Sequence, residues 1–194
     1  MNNMTRVAIF VDQENLISYL NKPKLNILED KFIPIRVWSK FNQEMLGLTS
    51  QRSGLTDLKH MGTWMFVSKR VDLHNERDSE ELKLESRFLE HMKQVDSLFG
   101  FIIKYGIGYR TQSGLSSKGV DVNLVCQMLV GAFENEYDIC ILVSDDDEFI
   151  PSIEIVQNFY GKQVYHAGFE PDRLRAACFG NIPFEDASIF KRIF

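Results

Sequence analysis

The run Ile139–Val143, ICILV, set between an amphipathic segment and four consecutive acids, constrains the fold more than any other stretch of the chain. An unbroken apolar run bounded by polar residues suits a short strand buried on both faces of a parallel sheet. Before it, Val120, Leu124, Val125, Met128, Leu129, Ala132 and Phe133 recur at spacings of three and four. That pattern predicts a helix with one apolar face, and Asp121 falls in its first turn. After the run, Ser144 leads into Asp145, Asp146, Asp147 and Glu148. A second helix then starts around Pro151, where the missing N–H costs nothing because the first amides of a helix have no internal partner. Ile153, Val156 and Tyr160 continue its buried face, and Gly161 supplies its stop. The unit of helix, strand, acidic loop and helix places these acids outside the carboxyl end of a strand, where open parallel sheets bind ligands.

The rest of the chain repeats the alternation. Arg6–Val11, RVAIFV, is a compact apolar strand closed by Asp12, and a helix follows with Gln13, Glu14 and Asn15 at its mouth and Leu16, Ile17 and Leu20 on one face. Residues 21–33 read as an irregular connection. A helix from Pro34 carries Val37, Trp38, Phe41, Met45 and Leu46, and the Ser-, Thr- and Gly-rich span Leu48–Gly62 reads as a long surface loop. Further strands are expected at Thr63–Ser68, Phe101–Tyr105 and Gln163–Ala167. A helix is expected from Ser79 to about Leu98, capped by Asp78 or Ser79, with a loop over Gly106–Lys118 and a short helix over Arg173–Phe179 before an irregular tail. Strands alternating with helices in this way predict one parallel α/β domain, and 194 residues suffice for its core.

Composition narrows the partners. A net charge of −5 argues against a general nucleic-acid coat protein, although acids gathered in one site can hide a basic face elsewhere. Cys126, Cys140 and Cys178 are widely spaced, without a CxxC pair or Cys/His cluster, so reduced core residues are expected rather than zinc ligands. No window approaches the ~20 apolar residues of a membrane span, and the start of the chain does not read as a signal segment, so the expected place is the cytoplasm with no membrane contact. Homo-oligomers are allowed.

Asp12, Asp121 and Asp146 come from three distant segments and are expected at one sheet edge. Carboxylates that close repel strongly unless a cation sits among them. A hard divalent ion, Mg²⁺ or Mn²⁺, is held by a few carboxylates and waters and promotes phosphodiester hydrolysis. Against this stands the plain alternative of a solvated acidic loop, since Asp and Glu are common at helix N-termini. Four successive side chains cannot all face one site, so Asp145 and Asp147 are expected to be exposed or capping. His60, His74, His91 and His166 are scattered and receive no catalytic role. Ser144 lacks a GxSxG elbow; it is expected to hydrogen-bond the loop, on the substrate side of the acids. Lys69, Arg70, Arg110 and Lys118 are the cations expected near this edge to hold a phosphate backbone. Trp64, Tyr105 and Tyr109 offer stacking faces, with core packing the more ordinary role for Trp64.

Three segments carry a family resemblance: Ile9-Phe10-Val11-Asp12-Gln13-Glu14-Asn15, Lys118-Gly119-Val120-Asp121, and Leu142-Val143-Ser144-Asp145-Asp146-Asp147-Glu148-Phe149-Ile150-Pro151. In order and spacing the chain resembles the NYN-domain family of PIN-like nucleases. The resemblance implies a PIN-like three-layer sandwich with a mostly parallel five-stranded sheet, and Mg²⁺- or Mn²⁺-dependent endonucleolytic cleavage of RNA. It places Asp12, Asp121 and Asp146 on the acidic metal-binding positions and Asn15 on their polar partner. Glu148 stands where the family usually has Asp, within reach of a metal directly or through water, and Asp145 stands where a Gly is usual. Two other functions fit the same acids. One is a non-catalytic RNA-binding or interaction module on the same fold. The other is a metal-dependent phosphatase or phosphoacceptor, weakened because Gln-Glu-Asn follows Asp12 where a DxD spacing is needed.

Overall fold

The computed structural model describes residues 4–20, 33, 35–70, 79–111, 114–169 and 173–184. In chain order the elements are β1 (Thr5–Asp12), α1 (Gln13–Leu20), α2 (Ile35–Ser53), β2 (Leu58–Arg70), α3 (Ser79–Phe99), β3 (Phe101–Thr111), β4 (Gly114–Lys118), α4 (Val120–Phe133), β5 (Ile139–Val143), α5 (Ile150–Asn158), β6 (Gln163–Gly168), α6 (Arg173–Ala177) and β7 (Gly180–Pro183). The expected connection over residues 21–32 and the capping role of Asp78 lie outside the described residues.

Among the described residues the strands form one seven-stranded sheet in the order β4-β3-β2-β1-β5-β6-β7, so the expected count of five is corrected to seven. Every pairing is parallel except β3 with β4. β1 and β5 lie side by side, and the chain works outward from β1 through β2 and β3 and from β5 through β6 and β7. Such a pair marks the place where the winding direction reverses, and a crevice opens there at the carboxyl ends of the strands.

Burial explains why these two strands lie at the centre. Val7–Val11 and all of Ile139–Val143 are buried, and each Val, Ile, Leu or Phe side chain among them contributes about 1.5–3 kcal/mol when removed from water. Alternate residues feed opposite layers. Val7, Ile9 and Val11 pack with Leu16, Trp38, Phe41, Met45, Met92 and Val95 of α1, α2 and α3. Ala8 and Phe10 pack with Val120, Leu124, Met128, Ile153, Val156 and Leu174 of α4, α5 and α6. The result is the expected three-layer sandwich. Asp12 continues the Ala8–Phe10 parity, so its side chain belongs to the layer that holds α4 and α5.

Sequence and structure part company mainly at the sheet's margins. Part of the expected loop Leu48–Gly62 is helix, because α2 runs on to Ser53, and its last five residues already belong to β2. The glycine-rich Gly106–Lys118 is not a loop but the end of β3 and an antiparallel return, β4. Gly180–Pro183, expected to be irregular, adds β7 at the other edge. In α4 the buried positions are Val120, Leu124, Met128, Gly131 and Ala132, whereas Phe133, expected on the apolar face, is 73% exposed.

The hairpin is what delivers α4. Asp12 pairs with Phe66, which pairs with Lys104, so β3 extends seven residues beyond the level of Asp12 before β4 turns the chain back. Lys118 faces Ile107, and α4 starts directly after Gly119, whose φ of 82° is the left-handed conformation that suits glycine. The close approach of β3 to the first residue of α4 also needs Gly106. A Cβ there would stand 2.5 Å from Val120 Cγ2 and 2.9 Å from the Val120 backbone nitrogen. Gly106→Ala should therefore push back the start of α4, at a cost of roughly 1–3 kcal/mol. Urea unfolding measures this, and an unchanged midpoint would show that the contact yields freely.

Candidate acidic site between the first and fifth strands

Asp12 is the last residue of β1 and only 4% exposed. Both of its oxygens are held. Oδ1 accepts from the backbone N–H of Asn15 at 3.1 Å, which ties the acid to the first turn of α1. Oδ2 accepts from the Ser144 hydroxyl at 3.0 Å. Ser144 is 3% exposed, and its oxygen also accepts from the backbone N–H of Asp146 at 3.2 Å. The hydroxyl expected on the substrate side is thus turned inward, bridging the end of β1 to the loop after β5. Asn15 makes a second tie, its Oδ1 accepting from the backbone N–H of Asp145 at 3.1 Å.

The four consecutive acids turn to different partners, and Asp145, expected to be exposed or capping, is instead drawn inward with its side chain 13% exposed. Asp146 accepts from the Glu148 backbone N–H at 2.9 Å and caps the single 3-10 turn Asp147–Phe149, which leads into α5. Phe149 and Ser152 are buried, anchoring that turn from below. Asp147 accepts from the Leu174 backbone N–H at 3.0 Å and lies 3.8 Å from the exposed Arg173, so it secures α6. Asp145 turns to β6, where its carboxylate meets His166 Nε2 at 2.8 Å and accepts from the Phe169 backbone N–H at 3.2 Å. Asp146 and Glu148 are left to face the remaining acids.

The electrostatics shows which groups those are. Burial, opposed by the hydrogen bonds from Asn15 and Ser144 and reinforced by repulsion from Asp121 and Glu14, pushes the Asp12 carboxyl up to about 6. The Asp121 carboxyl is likewise raised, first by burial and then by repulsion from Asp146, Glu148 and Glu14. Acids from β1, α1, α4 and the loop after β5 therefore share one neighbourhood, and the charges that shift Asp12 and Asp121 are all carboxylates. Repulsion thus links Asp12 to Asp121, and Asp121 to Asp146 and Glu148, while Asn15 joins through its hydrogen bonds. Glu14 is an addition; its place in the first turn of α1, two residues after Asp12, was the available signal.

The expected cations are distributed less favourably. Arg70 pairs with Gly108, Arg110 with Leu115 and Lys118 with Ile107, all in the part of β2, β3 and β4 that runs past Asp12. Lys69 has the parity of Met65 and Val67, which pack on the α2 and α3 layer, so it belongs to the opposite face from Asp12. Tyr105 shares that parity, and Trp64 stacks on Phe10 at 5.2 Å in the core rather than offering a free face.

The family model of the NYN domain matches residues 6–184. The chain belongs to the NYN-domain family. NYN domains are part of the PIN-like ribonuclease superfamily. A solved structure of a Vibrio parahaemolyticus protein of unknown function has the same fold, with a TM-score of 0.61 and 18% identity over 96% of this chain and 97% of that one. No curated protein matches the chain. Among the described residues, no helix is long and apolar enough to cross a membrane.

The donor set of this NYN domain can be tested against a divalent ion on its own chemistry. All the converging groups are hard oxygen donors, which suit Mg²⁺ or Mn²⁺ rather than zinc or copper. Among the described residues no three Asp, Glu, His or Cys side chains are gathered tightly enough to hold one ion between them. Mg²⁺ is commonly bound through one or two carboxylates with water completing the shell, so a loose carboxylate group fits it.

Proposed function

We propose that this NYN domain is a metal-dependent endoribonuclease that hydrolyses RNA phosphodiester bonds at the acidic edge between β1 and β5. What carries this reading is the Asp12 carboxyl, kept buried among like charges although burial and repulsion both oppose its ionisation. Asp12, Asp121 and Asp146 would hold Mg²⁺ or Mn²⁺ through one or two direct carboxylate contacts and otherwise through water, with Glu148 assisting directly or through water. Such an ion, when bound, activates water and offsets the charge that builds on a phosphoryl group. The chain's own residues do the rest. Asn15 and Ser144 fix the orientation of Asp12, and the 3-10 turn fixes Asp146. Arg70, Arg110 and Lys118, beyond the acidic edge, are assigned to the RNA backbone, where cations set register without reading sequence. Lys69, on the other face, is left out.

The test is cleavage of a fluorescent single-stranded RNA by purified protein with Mn²⁺, with and without EDTA. Asp146→Asn should slow cleavage about tenfold or more, the scale seen when one metal-supporting group is lost. Cleavage that persists in EDTA, or that the variant matches, overturns the assignment. A second reading, an RNA-binding or interaction module without cleavage, draws on the absence of a preassembled ion cage among the described residues. RNA retained in EDTA and left intact with either metal would favour it.

A further inference from the structure

His166 takes no part in the chemistry proposed above, yet it is a polar ring 1% exposed in the middle of β6. Its Nε2 lies 2.8 Å from Asp145 Oδ1 and its Nδ1 lies 2.7 Å from Asn181 Oδ1 on β7. The second oxygen of Asp145 accepts from the Phe169 backbone N–H at 3.2 Å. Space for this pair exists because residue 168 is glycine: a Cβ there would stand 2.1 Å from Asp145 Oδ1 and 2.5 Å from His166 Nε2. A buried carboxylate is tolerated when its lone pairs are engaged, and both oxygens of Asp145 are.

Asp145 is held at its main chain as well. Its backbone N–H donates to Asn15 Oδ1, and the Asn15 backbone N–H donates to Asp12 Oδ1, each at 3.1 Å. Polar contacts thus run from Asn181 through His166, Asp145 and Asn15 to Asp12, linking β7 to the end of β1. The next residue after Asp145 is Asp146, whose own N–H is bound to Ser144. A residue pinned at side chain and main chain leaves its neighbour little freedom in where it points.

We propose that His166 and Asp145 are positioning residues that aim Asp146 toward Asp121, so that divalent-ion affinity is set from β6 and β7. The inference rests on the reading of these acids as a metal site. Its measurement is a Mn²⁺ titration of the full chain by calorimetry, beside the melting temperature of each metal-free variant. His166→Ala should weaken Mn²⁺ binding roughly tenfold or more, the usual effect of removing a group that orients a ligand. His166→Gln, whose amide can still donate to Asp145, should recover most of that loss, which a volume effect alone would not. Asp145→Asn keeps the shape of the side chain and supplies the same test if the alanine variant does not fold. Should Asp145→Asn and every folded His166 variant bind Mn²⁺ as the parent does, with only their melting temperatures lowered, the pair is merely structural and the inference fails. Should the parent itself take up no Mn²⁺, the metal-site reading fails and the inference falls with it.

Discussion

Asp12→Asn should slow RNA cleavage about a hundredfold or more and, in the same molecule, stabilise the metal-free protein. The two effects have one cause. Asp12 is raised from 3.8 to about 6 because burial outweighs its two hydrogen bonds, and a shift of that size corresponds to about 3 kcal/mol set against folding once the group is ionised. The sign follows from proton counting. Between about pH 4 and pH 6 the folded state keeps a proton that the unfolded chain has released, so stability falls as pH rises through that window and the full cost applies above it. Asparagine keeps an acceptor for Asn15 and carries no charge, so its variant should lack the fall. Weaker hydrogen bonds to the amide bring the expected gain at neutral pH to about 1–3 kcal/mol. Urea unfolding in EDTA should show the two proteins close together at pH 4 and the variant ahead at pH 7.5. A variant weaker at both pH values would mean that Asp12 is stabilising and that burial does not dominate. For catalysis, losing even about 3 kcal/mol of charge stabilisation in the transition state lowers the rate about a hundredfold. Asp12 should matter more than Asp146, because its geometry is fixed at both oxygens inside the protein, whereas water or Glu148 can take over part of the role of a more accessible acid.

What the sequence made legible follows from how each feature is encoded. The central strands announce themselves because burial on both faces leaves only apolar residues in Val7–Val11 and Ile139–Val143, and the acids stand out because they interrupt those runs at the carboxyl ends. The outer strands are hidden because they do not need such runs. Leu58–Gly62, LKHMG, mixes charged and apolar residues, and Gly180–Pro183 offers no β-branched pattern beyond Ile182. The β3–β4 hairpin is masked by glycine and serine, although Gly106 is there because of the strand: it makes room for Val120. Phe133 reads as buried from its spacing because α4 is apolar on nearly every side, with Asp121 its sole charge, so spacing does not tell the inner face from the outer. Asp145 and His166 illustrate a different limit. They lie 21 residues apart on neighbouring elements, and nothing in local spacing joins an acidic loop to a strand histidine. Their pairing became visible only with the register of β5 and β6, which sets Leu142 against His166 and brings Gly168 to the level of the loop.

Mn²⁺ should raise the melting temperature of the wild type, and by clearly more at pH 7.5 than at pH 5. Binding to the folded state alone adds RT ln(1 + [L]/Kd), which is about 3 kcal/mol at one hundred times Kd. For a chain of this size that is roughly 5–10 °C. At pH 5 the Asp12 carboxyl, titrating at about 6, is mostly protonated, so an ion must displace a proton to use it. That lowers the affinity about tenfold per pH unit below the midpoint, and at the same Mn²⁺ concentration leaves about half of the stabilisation. Asp121, raised in the same direction, steepens the dependence. The pH trend thus opposes that of the metal-free protein: without ion the fold loses stability as pH rises from 4 to 6, and with ion it regains it, because the cation supplies the opposite charge that the carboxylates lack. Asp12→Asn should remove most of the Mn²⁺ shift and flatten its pH dependence. A shift of equal size at both pH values, or one that survives Asp12→Asn, would place the ion elsewhere on the protein and detach the buried carboxyl from metal binding.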